Sequence, residues 1–333
     1  MRRLHQKANR RALFWTLQIR SVAAILQGTA IWTALAVLPL AAQGGRENPF
    51  EKPLAIGPQE ATSYFDLPVD RLRAVVPGLR GVAGDANQSE LPTILAGLSR
   101  RIAETLPKLP DLISREQVFH FQSGGDADPR GGLAATQPYS REFKYLIRCR
   151  RRADGSTDIE EARVNSKGEV IEGETGFTAL RGTGFANQWL FFSAANQPQF
   201  RFRYLGRQQK DGHKTYVVVF AQDPKKVDDP AYFEADGKKS PFYYQGVLWV
   251  DPSSFDIVAL HTDLLAPLRQ VHLLRLATDL KFHSVPIRGY NAVFWLPSEV
   301  DISSDEGQGP TEESHHYSDY HLFHAEARIV STP

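Results

Sequence analysis

The sequence predicts an α+β fold, a large curved antiparallel β-sheet with helices laid on one face, and three observations predict it. Apolar residues recur at three- and four-residue spacing before about residue 106. From about residue 116 the period changes to two. Gly, Asp and Pro turn signals then separate one extended run from the next, which marks an antiparallel meander of eight or more strands. A sheet that wide twists and curls, so its concave side needs a cover.

The helical half comes first. Asp66 is placed to cap a short helix through Val69, Leu72, Val75 and Val76 that Pro77-Gly78 stops. Ser89 is placed to cap a longer one, where Leu91, Leu95, Leu98, Ile102 and Leu106 share a face opposite Ser99, Arg100, Arg101 and Glu104. Pro107 ends it. That stripe calls for a partner surface.

In the extended half, Phe143, Tyr145, Ile147 and Cys149 alternate with Lys144, Arg148 and Arg150, and Asp154-Gly155 turns the chain into Ile159–Val164. The segment 185–192 is dense in aromatics and reads as a short helical turn. Phe200, Phe202 and Tyr204 alternate with Arg201 and Arg203, and Lys210-Asp211-Gly212 turns the chain into Tyr216–Phe220. Tyr243–Val250 pairs with Ile257–Leu264, and Leu274–Val285 with Ala292–Ile302. A last run covers His316–Val330. Val247 and Trp249 oppose Leu248 and Val250, so that strand is apolar on both faces and is covered on both sides.

Of 333 residues, 42% are hydrophobic and 23% charged, which excludes a disordered or low-complexity chain. The formal charge of +1 hides an asymmetry: residues 1–42 hold six basic residues and no acid, leaving 33 basic against 38 acidic in the body. That sign excludes a nucleic-acid module. The basic start, the apolar stretches Ser21–Leu26 and Ala34–Leu38 and the exit at Ala41-Ala42 describe a signal peptide at 1–42, with an uncleaved signal anchor as the alternative. The expected location is accordingly the periplasm, the cell envelope or the medium of a bacterium, or the inner membrane if the anchor stays. Membrane contact is expected only through residues 1–42. Residues 43–60, rich in Gly and Pro, read as a flexible tether, and 61–333 as a single domain with helices in 66–106 and the meander in 116–330.

Short stretches in this domain carry a resemblance: Leu109-Pro110-Asp111-Leu112-Ile113, Tyr244–Pro252 with Asp256-Ile257-Val258, Trp295-Leu296-Pro297 and His316–Tyr320. Together they resemble secreted proteins of acidobacterial type and, more remotely, the superfamily of outer-membrane lipoprotein carriers (LolA-like) and their mycobacterial lipid-binding relatives. The resemblance implies an unclosed β-barrel with helices over an apolar cavity, and non-covalent binding of acyl chains. It transfers no residue role.

The residues offer no chemistry of bond-making. No Gly-x-Ser-x-Gly elbow anchors a hydrolase triad, and Arg181-Gly182-Thr183-Gly184-Phe185 lacks the lysine of a phosphate loop. His315, Asp319 and His321 share a face of an extended strand, but six residues at 3.3 Å each separate the two imidazoles by about 20 Å, too far for one zinc ion. Cys149 reads as a small buried hydrophobe, and Arg148 with Arg150–Arg152 as a solvated strand edge. No cofactor and no metal is expected. The cavity candidates are Leu95, Leu98 and Ile102 on the long helix, and Phe200, Phe202, Trp249, Phe282 and Trp295 on the sheet. The expected function is that of an exported, non-enzymatic carrier holding an acyl chain or an apolar partner segment, with a lipid, a lipoprotein or another envelope protein as partner. The alternatives are a protein-interaction scaffold whose same residues pack solidly and, further off, a hydrolase without a recognisable motif.

Overall fold

The computed structural model describes residues 19–20, 63–82, 84, 86–122, 139–151, 157–171, 185–228, 230–235, 238–307 and 309–323. Apart from the backbone of 19–20, the signal segment, the tether, the turn at Asp154-Gly155, His324 and the run beyond residue 323 lie outside the described residues.

Two helices open the domain, α1 (Val69–Val75) and α2 (Leu91–Thr105). Neither starts as the sequence suggests. Pro68 occupies the N-cap of α1, while Asp66 pairs with Arg201 at 2.6 Å. Ahead of α2 a 3-10 turn (Gln88–Glu90) is capped by Asn87, whose side chain accepts from the Ser89 N–H at 3.0 Å. Asparagine serves here as serine would, since either oxygen satisfies an orphan donor.

The strands follow: β2 (Leu112–Gln122), β3 (Tyr139–Arg151), β4 (Thr157–Val164), β5 (Val170–Ile171), β6 (Phe200–Lys210), β7 (His213–Gln222), β8 (Ala231–Ala235), β9 (Lys238–Phe242), β10 (Tyr244–Val250), β11 (Ile257–Leu264), β12 (Arg275–Pro286), β13 (Val293–Asp305) and β14 (Pro310–Leu322). Eleven of them form one open antiparallel sheet in the order β5-β4-β3-β2-β14-β13-β12-β11-β10-β7-β6. This is the large curved antiparallel sheet that the two-residue period predicts. It is not a plain meander: β2 pairs with the last strand, β14, so the β2–β5 unit joins the far side of the sheet. A separate ribbon forms from β8, β9 and the two-residue β1 (Ile19–Arg20), which pairs parallel to β8.

Local chemistry explains the turns and the curl. Asp211 (φ +48°) and Gly212 (φ +83°) both take the left-handed region that a tight hairpin requires. Register shifts at Tyr204/Gly206, Trp249/Val250, Lys281/Phe282 and Ser318/His321 bend their strands. The last of these overturns the shared face of His315, Asp319 and His321. Asp319 sits at φ +57°, so beyond the shift Tyr320 turns inward and Asp319 and His321 turn out. The arginine run is corrected too: β3 lies between β2 and β4, and so is no edge. There Arg150 pairs with Glu160 at 3.0 Å and Arg151 donates to the Pro107 carbonyl.

Both faces of the sheet are covered. One core packs Leu72, Val76 and Leu79 against Val247 and Trp249 of β10. The larger core lies on the concave side, beneath α2, and includes Leu248 and Val250 of the same strand. The buried line of α2 is Ile94, Gly97, Leu98 and Ile102, while Leu91 and Leu95 are only half-buried. The stripe is thus rotated from the leucine spacing, with Gly97 turned toward the Phe255 ring of the turn between β10 and β11. Burying each such apolar side chain contributes about 1.5–3 kcal/mol. Ile102→Asp is expected to release α2 and lower stability by about 2–3 kcal/mol. A thermal melt followed by circular dichroism measures this, and an unchanged midpoint would contradict the packing.

Candidate functional site

One side of α2 meets the sheet across a half-open cleft. Its lining comes from five places: Leu98, Arg101, Ile102, Thr105 and Leu106 from α2 and the residue after it, Phe255 and Asp256 from the β10–β11 turn, Ile257 from the start of β11, Trp189 from a 3-10 turn (Ala186–Phe192), and Trp295 from β13. The helical residues recur at three- and four-residue spacing, which places them on one face. As a cavity the cleft measures about 30 Å³, and about 340 Å³ when all the empty space of its mouth is included. Apart from Arg101, Thr105 and Asp256, the lining side chains are apolar.

The β10–β11 turn is built to reach this helix. The Asp251 carboxylate accepts from the Ser253 and Ser254 N–H groups at 2.8 and 2.9 Å, the local bonding that favours aspartate in turns. Those bonds outweigh the effect of burial and hold its carboxyl below the usual range. Phe255 then adopts φ +58°, a conformation that costs a non-glycine residue roughly 1–2 kcal/mol. Its ring lies on Gly97, where an added Cβ would come within 2.4 Å of it. The next residue, Asp256, is buried and accepts from Arg101 Nε at 2.7 Å and from Nη2 at 3.1 Å. The guanidinium is therefore clamped along one edge, and a two-point pair of this kind fixes orientation as well as distance. Gln197 adds a further tie, donating from Nε2 to the Leu95 carbonyl at 3.0 Å and to the Phe192 carbonyl at 2.9 Å.

Behind the cleft the concave space is filled. Trp189 packs on Phe282 with ring centroids 6.0 Å apart. Phe192 meets Phe220 edge-on at 5.1 Å, and Phe200 lies 5.9 Å from Phe202. Of the eight residues singled out from the sequence, Leu98, Ile102 and Trp295 line the cleft. Phe200, Phe202 and Phe282 belong to the packed aromatic interior, Leu95 is half-buried on α2, and Trp249 lies in the core on the other face of the sheet. The cleft's polar residues escaped the sequence reading. Arg101 lies on what reads as the solvent face of the helix, and Asp256 reads as a turn residue. The only available hint was Asp256 following a turn that presents an aromatic residue.

The opposite end of the same concave face is polar. Glu116 on β2, Arg163 on β4 and His315 on β14 are all essentially sealed from solvent. Arg163 donates to both Glu116 oxygens, at 2.6 and 2.8 Å. His315 places Nδ1 2.9 Å from Glu116 Oε1 and Nε2 3.3 Å from Glu313 Oε2, and Tyr317 donates to Glu116 at 2.7 Å. Burial alone would raise the Glu116 carboxyl, but Arg163 and His315 outweigh it and hold it at about 2. Burial alone would lower His315, and its bonds to two carboxylates reverse that, so it is raised. Alongside, Glu161 is raised by burial. It accepts from the Tyr145 hydroxyl and from the Ala186 and Asn187 N–H groups at 3.0 and 2.8 Å, and so anchors the 3-10 turn that carries Trp189. The Cys149 thiol is pushed up to about 12 by burial, which leaves it a half-buried, unreactive side chain.

No family model matches the chain, and no curated protein matches it. Solved structures do. A DUF1329 family protein from Desulfovibrio piger shares 12% identity over 69% of this chain and 92% of its own, with a TM-score of 0.36. A LolA superfamily protein from Nitrosomonas europaea shares 12% over 72% and 97%, at 0.34. The lipoprotein LppX from Mycobacterium tuberculosis shares 11% over 69% and 95%, at 0.24.

Proposed function

We propose that the chain is a non-enzymatic, carrier-like binding protein of the bacterial envelope that takes an apolar tail into the cleft beneath α2. The observation that carries this reading is the cleft itself, an apolar recess between a helix and a sheet, open on one side and bounded by two tryptophans. Tail binding is driven by removing apolar surface from water. Basic residues and apolar runs in 1–42 support an envelope address, by cleavage or by anchoring, and 61–333 would act as one folded unit. Among the described residues no helix is long and apolar enough to cross a membrane.

Size decides how such binding works. An apolar cavity of about 150 Å³ is what admits a benzene-sized guest, and the closed cleft has about 30 Å³. A tail therefore enters only as the walls part, with the Phe255–Gly97 contact as the point that must yield. The aromatic packing behind the cleft favours a second reading, a scaffold domain in which the recess is only an imperfection of the core.

Native mass spectrometry of the full chain purified from cells separates the two. A carrier retains apolar adducts that disappear in Ile102→Trp, where the indole fills the recess. A bare protein mass from the parent chain supports the scaffold.

A further inference from the structure

The rim of the cleft holds hydrogen-bond donors that the protein leaves unused. A guanidinium carries five N–H groups, and Asp256 takes two of Arg101's, along the Nε/Nη2 edge. Of the other three, one on Nη1 and one on Nη2 form the end-on edge; none of the three has an acceptor among the described residues, and the Arg101 side chain keeps 32% of its surface exposed. One turn along the same helix face, Thr105 Oγ1 is buried without a hydrogen-bond partner among the described residues. A buried hydroxyl left unpaired is costly, and a partner reached by rotating χ1 relieves that cost. Both groups line a recess that is otherwise apolar.

From this we infer that the cleft selects an amphiphile with a carboxylate head, its tail in the recess and its head on the free edge of Arg101. The inference rests on the binding role proposed above and names the ligand's chemistry. Arginine only donates, so the head must accept. A planar carboxylate matches the free edge in two parallel bonds, just as Asp256 matches the occupied one. Because Asp256 is buried, it holds its own edge and is not displaced, so Arg101 bridges two carboxylates. The closed recess, about 30 Å³, admits the tail only as its walls part, while the head meets Arg101 at the exposed rim.

The test is a fluorescence titration of the full chain with a polyene fatty acid and, separately, with its methyl ester. The acid is expected to bind about tenfold more tightly than the ester, the difference a charge-assisted hydrogen-bonded head makes. In the double variant Arg101→Gln/Asp256→Asn, which removes both charges together, the two probes are expected to bind within twofold of each other. Saturable binding of both probes at equal affinity by the parent chain would overturn the head recognition and leave the cleft's role standing. Saturable binding of neither would overturn both.

Discussion

Glu116→Gln is expected to destabilise the fold by about 3–5 kcal/mol, because it takes from the buried Arg163 guanidinium the carboxylate that meets it in two hydrogen bonds. Arg163 is 3% exposed and Glu116 0%, so water cannot enter to compensate. Urea unfolding measures the loss. Adding Arg163→Met removes the buried guanidinium as well, and the double variant is expected to recover much of the stability, which a double-mutant cycle reports as coupling. Equal losses in Glu116→Gln and in the double variant would show that the pair contributes only through its shape.

The same variant changes how stability depends on pH, and the two groups act in opposite directions. Glu116 is depressed to about 2 in the fold, against about 4.3 in an unfolded chain. Its contribution is therefore complete above about pH 4.3 and is lost as pH falls toward 2. His315 is raised, so its contribution is complete below about pH 6.5 and is lost as pH rises through its folded value. Without Glu116 the acid limb shrinks, and His315 loses one of its two carboxylate partners. Melting temperatures across pH 3–9 should therefore vary less in Glu116→Gln than in the parent. A parent chain whose stability did not decline above pH 6.5 would contradict the doubly bonded imidazolium.

Gly246→Ala is expected to cost more than about 3 kcal/mol and to separate two central strands. Gly246 lies in β10 between Phe220 of β7 and Thr262 of β11. An added Cβ would fall 1.9 Å from the His261 carbonyl oxygen and 2.7 Å from the Phe220 ring. The ring could turn, but a ladder carbonyl moves only with its strand, so this exceeds the usual 1–3 kcal/mol or so of overpacking. Hydrogen exchange would show protection lost first along β10 and β11. Native protection in a protein that melts at the parent temperature would refute the close approach.

The residues that the sequence made legible are those whose environment follows from near neighbours. Alternation in β3 places Phe143, Tyr145 and Ile147 inward, and all three are buried. Val247 and Trp249 face away from Leu248 and Val250, and each pair occupies its own core. Strand ends drift by one to three residues where pairing continues past the apolar pattern, as in β13, which runs on to Asp305 opposite Arg275, and the last strand begins six residues ahead of the expected His316, at Pro310. The candidate site was less legible. Leu98, Ile102 and Trp295 were found by their apolarity. Arg101 and Asp256, 155 residues apart, carry no mark of one another in the chain, and nothing near Glu116 announces Arg163 or His315.

What the sequence by itself determined is the change from helix to strand along the chain, the turn at Asp211-Gly212 and the two-sided burial of β10. These follow from periodicity and backbone preference, forces that act over a few residues. Only the tertiary structure decided which strands are neighbours, that β2 lies beside β14, which face of α2 meets the sheet, and where a recess remains open. Buried charges find their partners, and packing leaves its gaps, between groups that chain folding brings together from tens to hundreds of positions apart. Pairing energy and empty volume belong to that assembled arrangement and not to any local stretch of residues.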